Sequence, residues 1–216
     1  MPYILWDWNG TLLDDTSAAL GTLNAMLARR NKPVLSLDFY RDHFGFPVKP
    51  FYTLCGFELE SEDWDAIARE YHETYRHLPK TLNAEARAAM ELIHRTNGQQ
   101  SIISALRQDL LENDTRQMGI QSQMEFIVGT DNLNGGSKME RAHELLQHIR
   151  RAHPQDDLHL TLIGDSLHDL DVANALGIAC VLCSQGSHSA WRLRRAAPTE
   201  ETLTNAVLRA LNNSET

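Results

Sequence analysis

An α/β fold, a doubly wound parallel sheet interrupted early by a helical insertion, is predicted by three features of the 216-residue sequence. From about residue 80 onward, short apolar runs alternate with amphipathic segments, the pattern of buried strands joined by covering helices. Residues 15–79, in contrast, carry helical patterns and almost no strand signal. Finally, two distant apolar runs, Tyr3-Ile4-Leu5-Trp6 and Leu160-Thr161-Leu162-Ile163, each end in acids: Asp7 in the first, Asp165 and Asp169 in the second. Open parallel sheets bind ligands beyond the carboxyl ends of their strands, so both sets of acids are directed toward one edge.

The elements follow in order. Strand Tyr3 to Trp6 runs into Asp7-Trp8-Asn9-Gly10-Thr11, and Trp6 and Trp8, two positions apart, are read as packing residues on one face. Thr16 caps a helix to about Arg30 with Leu20, Leu23 and Leu27 at helical spacing, and Asn31-Lys32-Pro33 stops it. A second helical piece after Ser36 is broken by Phe44-Gly45-Phe46-Pro47; a third starts at Ser61-Glu62-Asp63 and ends near His77, before Pro79. Alternation then resumes: helix 84–96, strand 100–104, helix 106–118, strand 124–128, a helix after Ser137, strand 158–163, a helix ending at Gly177, strand 179–183 and C-terminal helical turns. Residues 1–14 and 80–216 are therefore assigned to the α/β core and 15–79 to the insertion, with hinges near Asp14-Asp15 and Leu78-Pro79-Lys80.

Composition bounds the function. Apolar residues make up 42% and charged residues 23%, ordinary for a globular protein, and the formal net charge is −9. That sign disfavours nucleic acid or an anionic membrane as the main partner. No run approaches the ~20 apolar residues of a membrane span, and no signal-peptide pattern is present, so a cytoplasmic location is expected. Cys180 and Cys183 form a C-x-x-C inside an apparent buried strand. No second pair exists to complete a zinc site, so they and Cys55 are read as reduced core residues.

Four pieces of chemistry fall at strand ends or helix starts: Asp7, Ser104, Lys138 after Gly135-Gly136-Ser137, and the Asp165/Asp169 pair. Singly, each has a plain structural use as a cap, turn former or surface lysine. In this order the chain resembles the haloacid dehalogenase-like hydrolase superfamily, over essentially its whole length. Asp7-Trp8-Asn9-Gly10-Thr11 matches the family's first motif at all but one place. Ser101-Ile102-Ile103-Ser104 resembles the second motif and Lys138 the third, while Gly164 to Asp169 matches the fourth fully. The resemblance, to the phosphoglycolate phosphatase-like branch, implies a Rossmann-like core with an inserted α-helical cap domain.

It also implies a mechanism: Mg²⁺-dependent hydrolysis of a small phosphate ester through an aspartyl-phosphate. Asp7 is then the nucleophile. The implied metal set is Asp7, the Asn9 backbone carbonyl and Asp165, with Asp169 orienting Lys138 and metal-bound water. The implied phosphate-binding set is Gly10, Thr11, Ser104, Ala105 and Lys138. The departure is Asn9, which stands where the family's phosphatases have an acid/base Asp. An amide exchanges no proton at neutral pH, so turnover is expected to be slow and Asn9→Asp to raise it, unless His168 or His188 has taken over. Two alternatives stay open: a phosphate-ester binder without turnover, and a metal-free dehalogenase. Arg41, His43 and Lys49 of the insertion are candidates for substrate contact, and Gly186-Ser187-His188-Ser189 for the rim of the site.

Overall fold

The computed structural model describes residues 1–131 and 138–212. The expected Gly135-Gly136-Ser137 turn lies outside them. The chain runs β1 (Pro2–Trp6), β2 (Leu13–Asp14), α1 (Thr16–Arg29), α2 (Leu37–His43), α3 (Val48–Leu54), α4 (Trp64–Tyr75), β3 (Thr81–Leu82), α5 (Ala86–Arg95), β4 (Gln99–Arg107), α6 (Gln108–Gln117) and β5 (Ile127–Thr130). It continues with α7 (Lys138–Ala152), β6 (His159–Gly164), α8 (Leu167–Leu176), β7 (Ala179–Cys183), α9 (Ala190–Arg194), β8 (Thr199–Glu200) and α10 (Leu203–Asn212).

Six strands form one parallel sheet in the order β5-β4-β1-β6-β7-β8. The pleat of β1 divides the core. Ile4 and Trp6 belong to a cluster with Ala89, Met90 and Ile93 of α5 and Val207 of α10. Tyr3 and Leu5 point the other way, to Leu145 and Ile149 of α7 and Val172 of α8. Alternate residues of a strand face opposite sides of a sheet, so two layers of helix are needed to bury this one, as the alternating pattern predicts. Cys183 packs in the first cluster and Cys180 against the second, and neither is disulfide-bonded.

The helices α1 to α4 enclose a cluster of their own, with Leu23, Met26, Leu27, Tyr40, Phe51, Tyr52 and Ile67 at its centre. Ser36 caps α2 by accepting from the Phe39 amide, and Asp63 caps α4 by accepting from Asp65. Where the chain leaves and re-enters the sheet, β2 and β3 pair antiparallel, Leu13 with Leu82 and Asp14 with Thr81.

Several boundaries differ from those expected. The sequence reading has no α3 after the break at Phe44-Gly45-Phe46-Pro47; in the structure Pro47 stands just before that helix and Pro50 in its first turn, where a missing N–H costs nothing. Strand β4 extends to Arg107, past Ser104, with a register irregularity between Ile103 and Arg107. Strand β5 begins at Ile127 rather than at 124, after a short 3₁₀ turn at Gln121–Gln123. Among the described residues, no helix is long and apolar enough to cross a membrane.

Candidate active site

Register brings the site together. Trp6 lies level with Ile102 of β4 and Ile163 of β6. Asp7, Ser104 and Asp165 therefore leave three adjacent strands within one or two residues of the same edge. Asp7 is held there by its backbone N–H, which donates to the Ile163 carbonyl at 2.9 Å. Lys138, at the start of α7, comes in from the side and is 2% exposed.

Lys138 Nζ donates to Asp7 Oδ1 and, at 2.6 Å, to Asp169 Oδ1. Asp169 also accepts from the Ser166 amide at 3.1 Å and the Ser166 hydroxyl at 2.6 Å, which fixes the carboxylate at the start of α8. Asp165 accepts from the amide and hydroxyl of Ser187, each at 2.5 Å. The Thr11 hydroxyl lies between, 3.3 Å from Asp7 Oδ2 and 3.4 Å from Asp165 Oδ1. Two glycines make the packing possible. A Cβ on Gly10, whose φ is +79°, would come 2.3 Å from Asp165 Oδ2, and one on Gly186 would come 2.1 Å from the same atom.

Asp7, Asp165 and Asp169 each offer an oxygen within 4.8 Å of the others, and all three are buried. Burial, then the neighbouring charge of Asp169, lifts Asp7 well above the usual carboxylate range and Asp165 to about 7. Burial would lift Asp169 too, but Lys138 and Ser166 hold it below its ordinary value. The same burial works against the Lys138 ammonium, yet Asp169 and Asp7 outweigh it and its pKa rises. Lys138 is thus a fixed positive charge among three acids.

Asn9 is oriented from below. Its Nδ2 donates to Asp15 Oδ2 at 2.9 Å and to the Tyr75 hydroxyl oxygen at 3.0 Å. Both amide hydrogens are thereby used, and its Oδ1 lies 3.5 Å from the Ser104 hydroxyl. Asp15 also accepts from the Tyr75 hydroxyl at 2.5 Å and the Gly10 amide at 2.6 Å. Its pKa is raised by burial, against the pull of these donors. Over the site stands a cavity of about 180 Å³, lined by Asp7, Asn9, Gly10, Asp15, Ser104, Ala105, Lys138 and Asp165 on the sheet side and by aromatic residues of α2 to α4 on the other.

A family model for haloacid dehalogenase-like hydrolases matches residues 4–183, most of the chain. The chain belongs to that family. Two curated relatives of this hydrolase match nearly end to end. One is a 5'-nucleotidase of Pseudomonas aeruginosa, 26% identical over 99% of this chain and 96% of its own. The other, named probable phosphatase IndB, comes from Dickeya dadantii and is 25% identical over 91% of this chain and 87% of its own. Among solved structures, a haloacid dehalogenase-like family hydrolase from Streptococcus pneumoniae superposes with a TM-score of 0.74 at 15% identity, covering 96% of this chain and 97% of that one.

The other expectations for this hydrolase fare unevenly. Ser187 lines the cavity and ties down Asp165, as the rim expected at residues 186–189. His188 does not reach the cavity: it is 1% exposed, its Nδ1 accepts from the Leu167 amide, and burial lowers its pKa to about 4. Burial thus favours its neutral form, and its place is behind the cavity rather than in it. His168 does line the cavity, stacked on Phe46 at 4.7 Å, with its pKa lowered by burial. Arg41, His43 and Lys49 are all elsewhere. Arg41 donates to the Gly186 and Gln185 carbonyls, His43 stacks on Phe39, and Lys49 sits over the Trp64 ring. Asp15 and Tyr75 are the residues that sequence reasoning missed. Asp15 looks like a helix-start acid beside exposed Asp14, and only the fold shows that it turns inward onto Asn9.

Proposed function

We propose that this hydrolase is a Mg²⁺-dependent phosphatase that frees inorganic phosphate from a small phosphate ester by way of an aspartyl-phosphate on Asp7. The observation that carries the reading is the buried contact of one lysine with both Asp7 and Asp169, directly under a cavity. The phosphatase names of the relatives support it. The donor set fits the cation: three buried carboxylates against one ammonium leave an all-oxygen cluster with two excess negative charges when all are ionised. Asp7, Asp165 and the Asn9 backbone carbonyl would hold it, with Asp169 behind them. Bound there, it supplies charge neutralisation between a carboxylate and a phosphate dianion.

In this reading an Asp7 carboxylate oxygen bonds to phosphorus while the bond from phosphorus to the alcohol oxygen breaks, and the alcohol leaves with the electron pair. Lys138 and the Ser104 hydroxyl, with backbone amides of the Gly10, Thr11 and Ala105 segments, hold the phosphoryl oxygens as charge moves onto them. Water then attacks phosphorus, the aspartyl bond breaks, and Asp7 and phosphate are released. The Asn9 Oδ1 can accept from that water, but the two Nδ2 hydrogens are committed to Asp15 and Tyr75, so Asn9 passes no proton. The proton that the departing alcohol takes up and the proton that the attacking water gives up both move through solvent, and esters of weakly acidic alcohols turn over slowly.

Residues 15–79 act as a cap on a core of residues 1–14 and 80–216. The β2–β3 ribbon at the crossing points and the separate apolar cluster of α1 to α4 support that division. Asn9 also favours a second reading, a phosphate-ester binder without turnover. A metal-free dehalogenase, by contrast, leaves Asp165 and Asp169 without a task. Phosphate release over a panel of phosphorylated metabolites, with Mg²⁺ and again in chelator, tests the proposal. Release that chelator abolishes is expected. Metal-dependent binding without release would favour the second reading, and chelator-insensitive hydrolysis would overturn the metal's role.

A further inference from the structure

We infer that the alcohol part of the substrate is uncharged, planar and aromatic, and stands among Tyr40, Phe44, Tyr52, Trp64 and Tyr71. This rests on the phosphatase reading, since it takes the phosphoryl group to lie at Asp7 and Lys138. The cavity is continuous from those two residues to the aromatic wall. Whatever alcohol is esterified to the phosphate must occupy that space.

The wall has the wrong chemistry for a second anion. Among the described residues, Lys138 is the only lysine or arginine lining the cavity, and it already serves Asp7 and Asp169. Asp7, Asp15 and Asp165 add negative charge on the sheet side. A carboxylate or second phosphate on the alcohol would leave water without a free lysine or arginine to receive it, and burial disfavours the charged form of His168, a large penalty in an apolar site. Other cations do exist nearby: Lys49 sits over the Trp64 ring without lining the cavity, and others lie in a separate cleft between α4 and α6 that meets the cavity only at His72, Tyr75 and Leu106. Three of them are also occupied: Arg69 faces Asp63, Arg76 pairs with Glu73, and Arg107 pairs with Asp109.

The wall also has the right shape of chemistry for a ring. Tyr71 lies nearly parallel to Tyr75, with an interplanar angle of 13° and centroids 5.6 Å apart. Phe46 is stacked on His168 at the cavity edge, with centroids 4.7 Å apart. Aromatic pairs gain beyond the area that they bury, so planar rings select planar rings over saturated ones of equal size.

Leaving-group reactivity must be held constant in the test. Benzyl, cyclohexylmethyl and ethyl phosphate release alcohols of comparable basicity, and phosphoglycolate supplies the charged comparison. With Mg²⁺, kcat/KM for benzyl phosphate is expected to exceed that for ethyl phosphate and for phosphoglycolate by at least tenfold (about 1.4 kcal/mol), and that for cyclohexylmethyl phosphate by about threefold. The advantage over ethyl phosphate should lie mainly in KM. Tyr71→Leu should narrow the benzyl-to-ethyl ratio by threefold or more. Preference for phosphoglycolate, parity between benzyl and cyclohexylmethyl phosphate, or an unchanged ratio in Tyr71→Leu would each overturn the inference while leaving a phosphatase. Absence of phosphate release from every ester would overturn the phosphatase reading itself, and the inference with it.

Discussion

Replacing Asn9 by Asp perturbs more than one residue. The missing carboxylate of the family's first motif would be restored, but the Asn9 Nδ2 contacts at 2.9 Å to Asp15 and 3.0 Å to Tyr75 would be lost. An anionic oxygen would instead face the Asp15 carboxylate. Like charges about 4 Å apart repel by about 4 kcal/mol at an effective dielectric near 20. Relief by protonating one acid lowers this, so a net cost of about 2–4 kcal/mol is expected, or a drop of roughly 5–15 °C in Tm for a chain of this size. The single variant should therefore be less stable and gain little turnover. The exchange Asn9→Asp with Asp15→Asn reverses the donor and acceptor across the same contact. The double variant should recover most of the lost stability, a coupling of about 1–3 kcal/mol, and turn over alkyl phosphates roughly tenfold faster or more. Thermal melts and steady-state rates on all four proteins of the cycle measure both effects. A single Asn9→Asp protein as stable as its parent and markedly faster would refute the idea of a matched pair.

Other consequences follow from the same contacts. Asp7→Asn should abolish phosphate release and any phosphoenzyme while leaving the circular dichroism spectrum unchanged. Asp165→Ala should raise the Mg²⁺ concentration needed for half activity at least tenfold, or eliminate activity; unchanged metal affinity by titration would mean that the cluster is misassigned. Tyr75→Phe removes the 2.5 Å hydrogen bond to Asp15 and should cost about 1.5–3 kcal/mol, roughly 3–12 °C in Tm, with faster amide exchange in α4. His153 is held protonated above its ordinary range, chiefly by Glu125 and also by Asp156. A raised folded-state pKa makes its contribution complete below about pH 6.5 and loses it as pH rises through the folded value. His153→Gln should flatten that decline in stability, and an unaltered pH profile would discount the contact.

The fold was legible because apolar runs and their spacing reflect burial, a requirement visible residue by residue. The sequence places strand β7 at 179–183, where the structure has it, since every residue sits in an unbroken apolar run between Gly177 and a polar loop. The sequence reading ends β4 at Ser104, where the apolar run closes and a helix is expected from about residue 106, yet pairing with β5 continues to Arg107. The two-residue strands β2 and β3 leave no periodic trace at all; they exist only because the chain enters and leaves the sheet at one point. In the site, Asp7, Lys138, Asp165 and Asp169 could be named from motif order. Asp15 and Tyr75 could not, since their partnership joins positions 60 residues apart, and no local pattern distinguishes buried Asp15 from exposed Asp14. The cavity wall is hidden for a related reason. Chemistry singles out charged Arg41, His43 and Lys49, whereas the cavity is walled by rings that read as ordinary core.

Asn9 and Asp15 together recast the departure from the family motif. Read alone, Asn9 is a loss, an amide where a proton carrier belongs. In the folded chain the carboxylate is not missing from the neighbourhood but displaced, from position 9 to position 15, with the amide and Tyr75 as its donors. An ionised Asp15 that accepts from Asn9, Gly10 and Tyr75 has its oxygens engaged, which suits holding better than proton transfer. What it holds is informative. Gly10 belongs to the turn after the proposed nucleophile and Tyr75 ends α4, so one buried acid joins that turn to the helical insertion. On the proposed division of the chain, the Asn9 amide is therefore oriented from the insertion side, by Asp15 where the insertion begins and by Tyr75 at the end of its last helix.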